Sequence, residues 1–239
     1  MTVSYDGSCY SGYQKQSGFR TIQEEIERAL SEINNSNHVD IFSSGRTDKG
    51  VHALNQKIHF DLDMNISLYN LREALNSKLP EDIYVKSIFQ VDDDFHARYN
   101  VVYKEYMYII NVGEYNPIER NYVYQYNKEL DIVEMERAFQ YFVGEHDFSS
   151  FTKPNCEKSN FVRSIKNISI KKDGDKITIN FIGNGFLRYM VRNMVGTVIE
   201  VGEGKRKSED LYDIIRAKDR TKAGVMAPSC GLYLKNVYY

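Results

Sequence analysis

The sequence predicts an α+β protein made of two tandem halves, and three observations support this. Short apolar strands and helical repeats follow the same β-α-β-β-α-β order twice along the 239 residues. A chain of this length can form two lobes, each with its own core. The halves also differ in charge: residues 1–100 carry 10 Lys and Arg against 15 Asp and Glu, and residues 101–239 carry 21 against 18. We therefore predict domains at 1–100 and 101–239, the second being more basic.

The first half opens with a strand that ends at Tyr5. Residues 21–24 read T-I-Q-E, the pattern of a capping box, and apolar residues then recur at helical spacing to Ile33. The remaining elements are predicted as strands over 39–42 and 58–62, a helix from Ser67 to Lys78, and a strand over 83–91.

The second half repeats this order. Its predicted elements are a strand over 102–112, a helix from Asp131 to about Val143, hairpin strands over 165–171 and 176–182, helices over 186–201 and 208–217, and a strand over 232–237. Two such halves in tandem are typical of two ferredoxin-like lobes of the RRM type.

Composition narrows the functional class. With 42% apolar and 27% charged residues, the chain is typical of soluble globular proteins. We find neither an apolar run of about 18 residues, as a membrane span requires, nor a signal-peptide pattern at the start. Three cysteines, Cys9, Cys156 and Cys230, form no C-x-x-C pair and predict neither a disulfide framework nor a zinc site. The expected location is the cytoplasm.

Residues 43–52, S-S-G-R-T-D-K-G-V-H, concentrate polar and charged side chains between two glycines. Gly45 and Gly50 have the spacing of a P-loop, but Val51 and His52 stand where that motif requires Lys and Ser or Thr. The loop would lack its phosphate-binding lysine and its magnesium-binding hydroxyl. We therefore expect no nucleotide cofactor.

A metal site is a second interpretation of this segment. It would use Asp48, His52 and His59, but their spacing matches none of the strong metal-ligand patterns. A lone histidine in a strand more often packs and forms hydrogen bonds than binds a metal. We therefore predict no metal site.

The third interpretation is a carboxylate held for chemistry. Arg46 and Asp48 are two residues apart, so they share a face in an extended segment. A nearby guanidinium keeps a carboxylate ionised, and an ionised carboxylate can act as a covalent nucleophile. Residue types alone leave a simple loop salt bridge equally open.

The segment 45–53, G-R-T-D-K-G-V-H-A, closely resembles the signature of the TruA-type tRNA pseudouridine synthases. Further family motifs occur in the same order along nearly the whole chain. They are YDGS at 5–8, GYQKQ at 12–16, FHAR at 95–98, YMY at 106–108, GEHDFSSF at 144–151, FLRYMVRNMVG at 186–196, AP at 227–228 and GLYL at 231–234. One departure is Tyr13, where the family usually has Trp; the substitution keeps an amphipathic aromatic ring.

The resemblance implies two RRM-like lobes with a joined antiparallel sheet and a positively charged central cleft. It implies a homodimer that binds the anticodon arm of tRNA and converts uridine to pseudouridine at positions 38, 39 and 40. This isomerisation oxidises nothing, so no cofactor is expected. The resemblance does not decide the attack site on the nucleoside or the tRNA species accepted.

The resemblance also assigns site residues. Asp48 is the catalytic carboxylate, attacking either C1′ of the ribose or C6 of uracil, and Arg192 is its expected ion-pair partner. Tyr106 is expected to stack on the detached uracil and to assist removal of the C5 proton. The expected substrate-binding residues are Arg46, Arg188 and Leu232, and the weaker candidates for phosphate contact are Lys49, His52 and Arg98.

Two alternatives remain. The same two lobes could form an RNA-binding or RNA-chaperone protein without chemistry, since RRM-like sheets bind RNA through aromatic residues. The presence of both Asp48 and Tyr106 favours the enzyme. A relative within the family that modifies another RNA site is the second alternative.

Overall fold

The computed structural model describes residues 1–153 and 160–239. Within these ranges it has ten β-strands and five α-helices, so the predicted α+β class is confirmed. The strands are β1 (Thr2–Tyr5), β2 (Phe42–Ser43), β3 (His52–His59), β4 (Ile83–Ser87), β5 (Tyr103–Asn111), β6 (Tyr124–Gln125), β7 (Gly144–Asp147), β8 (Val162–Asp173), β9 (Lys176–Gly183) and β10 (Leu232–Tyr238). The helices are α1 (Ile22–Ile33), α2 (Leu68–Lys78), α3 (Ile132–Gln140), α4 (Met190–Gly202) and α5 (Asp210–Ala217).

The chain divides into two compact units. The first contains Met1–Val102 together with Tyr233–Tyr239, and the second contains Tyr103–Leu232. The division after residue 102 lies close to the predicted boundary. The last seven residues, which sequence analysis placed in the second half, group instead with the first unit.

In the first unit, β1 lies between β4 and β3 and pairs antiparallel with both. The short β2 pairs antiparallel with the far end of β3, and Tyr233 and Leu234 of β10 pair in parallel with its near end. One face of this sheet is covered by apolar side chains of α1 and α2, with Ile26, Leu30 and Leu75 fully buried. The apolar side chains of the helices and of the strands therefore form one core.

Of the two helix caps predicted in the first unit, one is confirmed and one is wrong. The Ser67 hydroxyl accepts the Asn70 N–H, so the predicted cap of α2 is confirmed. The predicted capping box of α1 is wrong: Thr21 makes no side-chain cap bond, and its buried hydroxyl has no partner in the described part of the chain. Strand β3 also begins earlier than predicted, at His52.

In the second unit, β5, β9, β8 and β7 are neighbours in that order, and all three pairs are antiparallel. The β8–β9 hairpin is confirmed, with a two-residue turn whose Gly174 takes a φ of 57°. The cap of α3 is confirmed by a bond from the Glu134 N–H to the Asp131 carboxylate. Sequence analysis missed the short strands β6 and β7.

Helix α4 begins later than predicted. The apolar spacing predicted a helix from residue 186, but the helix starts at Met190 because Tyr189 takes a left-handed φ of 64°. The second unit also contains an aromatic core of fully buried rings. Its members are Tyr108, Phe139, Phe142, Phe148, Phe151 and Phe181.

No helix among residues 1–153 and 160–239 has the length and apolar character to cross a membrane. Cys9 is exposed and Cys230 half-buried, and both are free thiols. Cys156 lies outside the described residues.

The buried tyrosines of the first unit predict a loss of stability at alkaline pH. Burial raises the pKa of the Tyr5 phenol to about 12 and also raises the pKa of Tyr13. Between pH 10 and 12 the unfolded chain releases the Tyr5 proton while the folded chain retains it, so the free energy of unfolding falls as pH rises, by about 2–3 kcal/mol for this group. Urea titrations followed by circular dichroism at pH 8, 10 and 11 measure this slope.

Tyr5→Phe tests the assignment. It is expected to cost about 1 kcal/mol at pH 8, because the hydroxyl bond to Thr47 is lost. Its alkaline slope should be shallower than that of the wild type. A slope equal to that of the wild type would show that Tyr5 ionises normally in the folded chain.

Candidate functional site

The loop that carries Asp48 is fixed at its start by β3. Ser44 is fully buried, and its N–H donates to the Lys57 carbonyl at 2.8 Å. Its hydroxyl donates to Gln56 Oε1 at 2.6 Å, and Gln56 Nε2 donates to the Gly45 carbonyl at 2.8 Å. Buried, satisfied hydrogen bonds of this kind define one loop path.

The residues on either side of Asp48 are also held. The Thr47 carbonyl accepts the Tyr13 N–H at 3.0 Å, and its hydroxyl lies 2.8 Å from the Tyr5 hydroxyl. The Asp48 carbonyl accepts the Val51 N–H at 3.1 Å, closing a turn in which Gly50 takes a φ of 75°. Asp48 itself is half-buried. Its carboxylate therefore projects from a backbone with little freedom.

Two glycines of the N-terminal motifs let other segments approach this loop. A Cβ on Gly7 would lie 2.0 Å from the Val51 carbonyl oxygen. A Cβ on Gly12, whose φ is 102°, would lie 3.0 Å from the Thr47 carbonyl oxygen and 3.4 Å from the Asp48 carbonyl carbon. The segments 5–8 and 12–16 thus form a scaffold for the Asp48 loop.

His52 is buried, with 2% of its surface exposed, and its ring stacks on Tyr233 with centroids 4.7 Å apart. Nδ1 accepts the Gly7 N–H at 3.1 Å, which places the proton of the neutral ring on Nε2. Asp6 Oδ1 lies 3.1 Å from the same Nδ1 and accepts a hydrogen bond only from a ring that is protonated there. His52 is thus buried beside the loop, and its contact with phosphate stays a prediction.

The other predicted cations of the first unit are on the surface. Arg46 and Lys49 are exposed on the Asp48 loop. Arg98 is also exposed, with its guanidinium carbon 6.0 Å from the Tyr99 ring centre. All three have the exposure that a phosphate contact needs.

In the second unit, Tyr106 lies on β5 opposite Phe181 of β9. It is 9% exposed, and its ring meets the Phe186 ring edge-on, with centroids 5.0 Å apart. The ring therefore sits at the border of the aromatic core rather than at its centre.

Arg192 lies in the first turn of α4, where the segment 223–228 packs against it. Its Nε donates to the Ala227 carbonyl at 2.7 Å, and the Ala227 N–H donates back to the Arg192 carbonyl at 3.1 Å. The packing is close, since a Cβ on Gly196 would lie 1.7 Å from the Val225 carbonyl oxygen. The guanidinium is thus fixed at Nε, and this bond leaves its two terminal nitrogens as further donors.

Leu232 follows the same segment and is 5% exposed at the start of β10. The Tyr108 hydroxyl donates to the Pro228 carbonyl at 2.7 Å, and a Cβ on Gly231 would lie 2.6 Å from the Ile109 carbonyl oxygen. The motif A-P-x-x-G-L-x-L therefore fixes a short 3-10 turn at Ser229–Gly231 that lies between Ala227 and Leu232.

Sequence analysis missed one residue that the structure places among the predicted ones. The Tyr189 ring lies 4.8 Å from the guanidinium carbon of Arg188 and 5.8 Å from that of Arg192. Helical periodicity could not reveal this, because the pattern predicted that residue 189 lies inside the helix.

A metal-binding cluster of three or more His, Cys, Asp or Glu side chains is not found among residues 1–153 and 160–239.

Gly12→Ala is expected to lower activity by displacing the Asp48 loop. The control is Gly18→Ala: Gly18 also has a positive φ, 78°, but no atom of residues 1–153 and 160–239 lies within 4 Å of its added Cβ. Both substitutions should cost about 1–2 kcal/mol of stability from backbone strain. Only Gly12→Ala should also reduce kcat, by roughly tenfold, since a displacement of about 1 Å can cost more than that. Equal kcat values for the two variants would refute the scaffold role.

The chain was compared with known proteins. A family model described as tRNA pseudouridine synthase matches residues 1–100 and 138–239. The tRNA pseudouridine synthase A of Anoxybacillus flavithermus is 43% identical over 238 residues, which cover all of this chain and 97% of that protein. The tRNA pseudouridine synthase A 2 of Clostridium perfringens is 44% identical over 240 residues, covering 100% and 98%.

A weaker likeness is found to a chain in a solved structure entitled "Crystal Structure of a Cbf5-Nop10-Gar1 Complex". The TM-score is 0.35 at 12% identity, over 84% of this chain and 54% of that chain.

Proposed function

The chain belongs to the tRNA pseudouridine synthases, enzymes that isomerise uridine in tRNA to pseudouridine, and on this premise we propose that Asp48 is its nucleophile and that its targets are uridines 38, 39 and 40 of the anticodon arm. The observation that carries the proposal is the Asp48 loop. A half-buried carboxylate stands on a backbone held by hydrogen bonds before and after it. Holding a reacting group in place supplies a large rate enhancement in enzymes.

The chemistry sets what the site must supply. The N1–C1′ bond breaks, the uracil turns, a C5–C1′ bond forms, and the proton on C5 leaves while N1 gains one. The target base is stacked in RNA and must first be flipped out of its helix. The Asp48 carboxylate attacks either C1′ of the ribose or C6 of the uracil, and both routes require its ionised form.

Arg192 is the proposed ion-pair partner that keeps Asp48 ionised. The support is twofold: Arg192 stands at the matching position of the family motif at 186–196, and its guanidinium is oriented by the bond to the Ala227 carbonyl. A guanidinium fixed in advance loses less freedom when it pairs.

Tyr106 is proposed to stack on the freed uracil and to assist removal of the C5 proton. Its position at the border of the core, against Phe186, supports a ring with a fixed plane. Leu232 packs against the base, and Arg46 and Arg188 bind the substrate. Their charge suits phosphate or a flipped nucleotide, and the exposed Lys49 and Arg98 are weaker candidates for phosphate contact.

The proposed architecture is two RRM-like lobes with a joined sheet and a central, positively charged cleft. In the first unit, β4, β1, β3 and β2 are paired in that order, which is the order of a ferredoxin-like lobe and supports this interpretation. A homodimer that binds one tRNA and a cytoplasmic location are also proposed, on the family resemblance.

The alternatives are a relative that modifies another RNA site and a non-catalytic RNA-binding protein. Membership of an enzyme family over the full chain argues against the second.

Site mapping tests the proposed targets. The purified chain is incubated with unmodified tRNA transcripts that carry uridine at 38, 39 and 40, and pseudouridine is mapped at single-base resolution. Matched transcripts carry cytidine at these positions. New pseudouridine at 38–40 in the first set only supports the proposal. Pseudouridine elsewhere in both sets would assign the chain to another RNA site, and binding without modification would favour the RNA-binding alternative.

A further inference from the structure

Tyr189 stands out in the second unit because it combines a strained backbone with two cationic neighbours. Its φ of 64° and ψ of 1° lie in the left-handed region, which bulky side chains rarely adopt. Its ring is half-buried. A sterically unfavourable conformation persists only when the surrounding structure imposes it, and such residues cluster at functional sites.

The neighbours of the ring are Arg188 and Arg192, with guanidinium carbons 4.8 and 5.8 Å from its centre. An aromatic face attracts a guanidinium at these distances. The two arginines are four residues apart, on either side of the start of α4. Because residue 189 is left-handed rather than helical, Arg188 leaves the helical path while the ring stays within reach of both cations.

Both cations are also tied to the fold through their backbones. The Thr152 hydroxyl donates to the Arg188 carbonyl at 3.1 Å, and the Ala227 N–H donates to the Arg192 carbonyl at 3.1 Å. The Tyr189 ring additionally restrains the two guanidinium groups. These groups are the parts of the arginine side chains that bind anions.

We infer that Tyr189 is a positioning residue whose ring holds the guanidinium groups of Arg188 and Arg192 for the reaction, Arg188 toward an RNA phosphate and Arg192 toward the catalytic carboxylate. The inference rests on the proposed function. It predicts that the ring face, rather than the hydroxyl or the backbone conformation, is the working part of Tyr189.

Three substitutions separate these parts. Tyr189→Phe keeps the ring, Tyr189→Leu removes it, and Tyr189→Asn removes it while easing the left-handed backbone, which Asn tolerates. The matched control is Tyr212→Leu on α5, where the guanidinium carbon of Arg216 lies 5.3 Å from an exposed ring. Initial rates on tRNA transcripts give kcat and KM, and thermal melts report folding.

Tyr189→Phe and Tyr212→Leu are expected to keep kcat and KM within about twofold of the wild type. Tyr189→Leu and Tyr189→Asn should each lower kcat by about tenfold and raise KM several-fold, the size expected for loss of a half-buried cation–π contact. Tyr189→Asn should do so while melting no lower than Tyr189→Leu. If Tyr189→Asn were as active as the wild type, only the left-handed backbone conformation of residue 189 would matter. That result would overturn the inference.

A double-mutant cycle measures the coupling between Tyr189 and Arg188 in KM, which a purely structural role of Tyr189 would not produce. If the ring acts on KM through Arg188, Tyr189→Leu should raise KM in the wild type but not in an Arg188→Gln background. Additive effects on KM would overturn the inference, as would a loss in Tyr189→Phe equal to that in Tyr189→Leu. An inactive wild type would instead contradict the proposed function itself.

Discussion

Asp48→Asn is expected to abolish pseudouridine formation while tRNA affinity and the melting temperature stay near those of the wild type. The amide has the shape of the carboxylate but cannot ionise, so it provides no nucleophile. The loop should survive, because the hydrogen bonds that hold it at Ser44, Thr47 and the Asp48 carbonyl do not use the replaced atom. Loss of an essential catalytic side chain lowers kcat by about 10⁴-fold or more. Single-turnover assays and filter binding on the same transcript measure both quantities.

The control is Asp63→Asn, which removes the same charge from an exposed position of the first unit. It should leave rate and affinity unchanged. Turnover by Asp48→Asn within tenfold of the wild type would exclude Asp48 as nucleophile. Loss of affinity together with turnover would show that Asp48 holds the RNA or the loop instead.

Gly196→Ala is expected to damage both stability and activity. In an exposed helix, Ala is favoured over Gly by about 1 kcal/mol. Here the new Cβ would lie 1.7 Å from the Val225 carbonyl oxygen and 3.0 Å from the Ala227 nitrogen. Backbone must move to admit it, which costs about 1–3 kcal/mol or more. The displaced segment carries the carbonyl that orients Arg192, so kcat should fall by at least about tenfold.

Gly202→Ala is the matched control, since it lies in the same helix. Its added Cβ would lie 2.8 Å from the Met135 sulfur and 2.9 Å from the Met135 Cγ, so a side chain rather than backbone must shift. We expect normal kcat and a lower melting temperature, but a smaller loss than in Gly196→Ala. A Gly196→Ala enzyme as active and stable as Gly202→Ala would mean that the segment 223–228 does not position Arg192.

The features that sequence analysis predicted well depend on local chemistry. Ser67 and Asp131 cap their helices as predicted, because a capping bond joins residues only three apart. The T-I-Q-E pattern at 21–24 has the same local form. Its threonine is nevertheless fully buried without a cap bond. Tertiary packing decided that position, and no local pattern records it.

The start of α4 shows the same limit. Residues 186–189 continue the apolar spacing of the helix, so periodicity extended it by one turn too many. The left-handed Tyr189 ends that turn. Its ring lies beside Arg188 and Arg192, and the apolar spacing records neither that placement nor the positive φ.

At the candidate site, the residue types could be predicted from the sequence, but the contacts that fix their positions could not. The polar loop around Asp48 was recognised from its composition. Its supports come from segments that precede or follow it in the sequence: the Tyr13 N–H, the Tyr5 hydroxyl and Gln56. For the same reason His52 was expected at the surface, although Gly7 and Tyr233 enclose it.

The most direct test of the central claim follows the hydrogen on C5. Joining C5 of uracil to C1′ expels that hydrogen, so tRNA labelled with tritium at C5 of uridine should release label to water when the wild-type chain acts on it. We predict release that plateaus at no more than one tritium for each uridine at 38–40, and none with Asp48→Asn. Tight tRNA binding by the wild-type chain without tritium release would contradict the account.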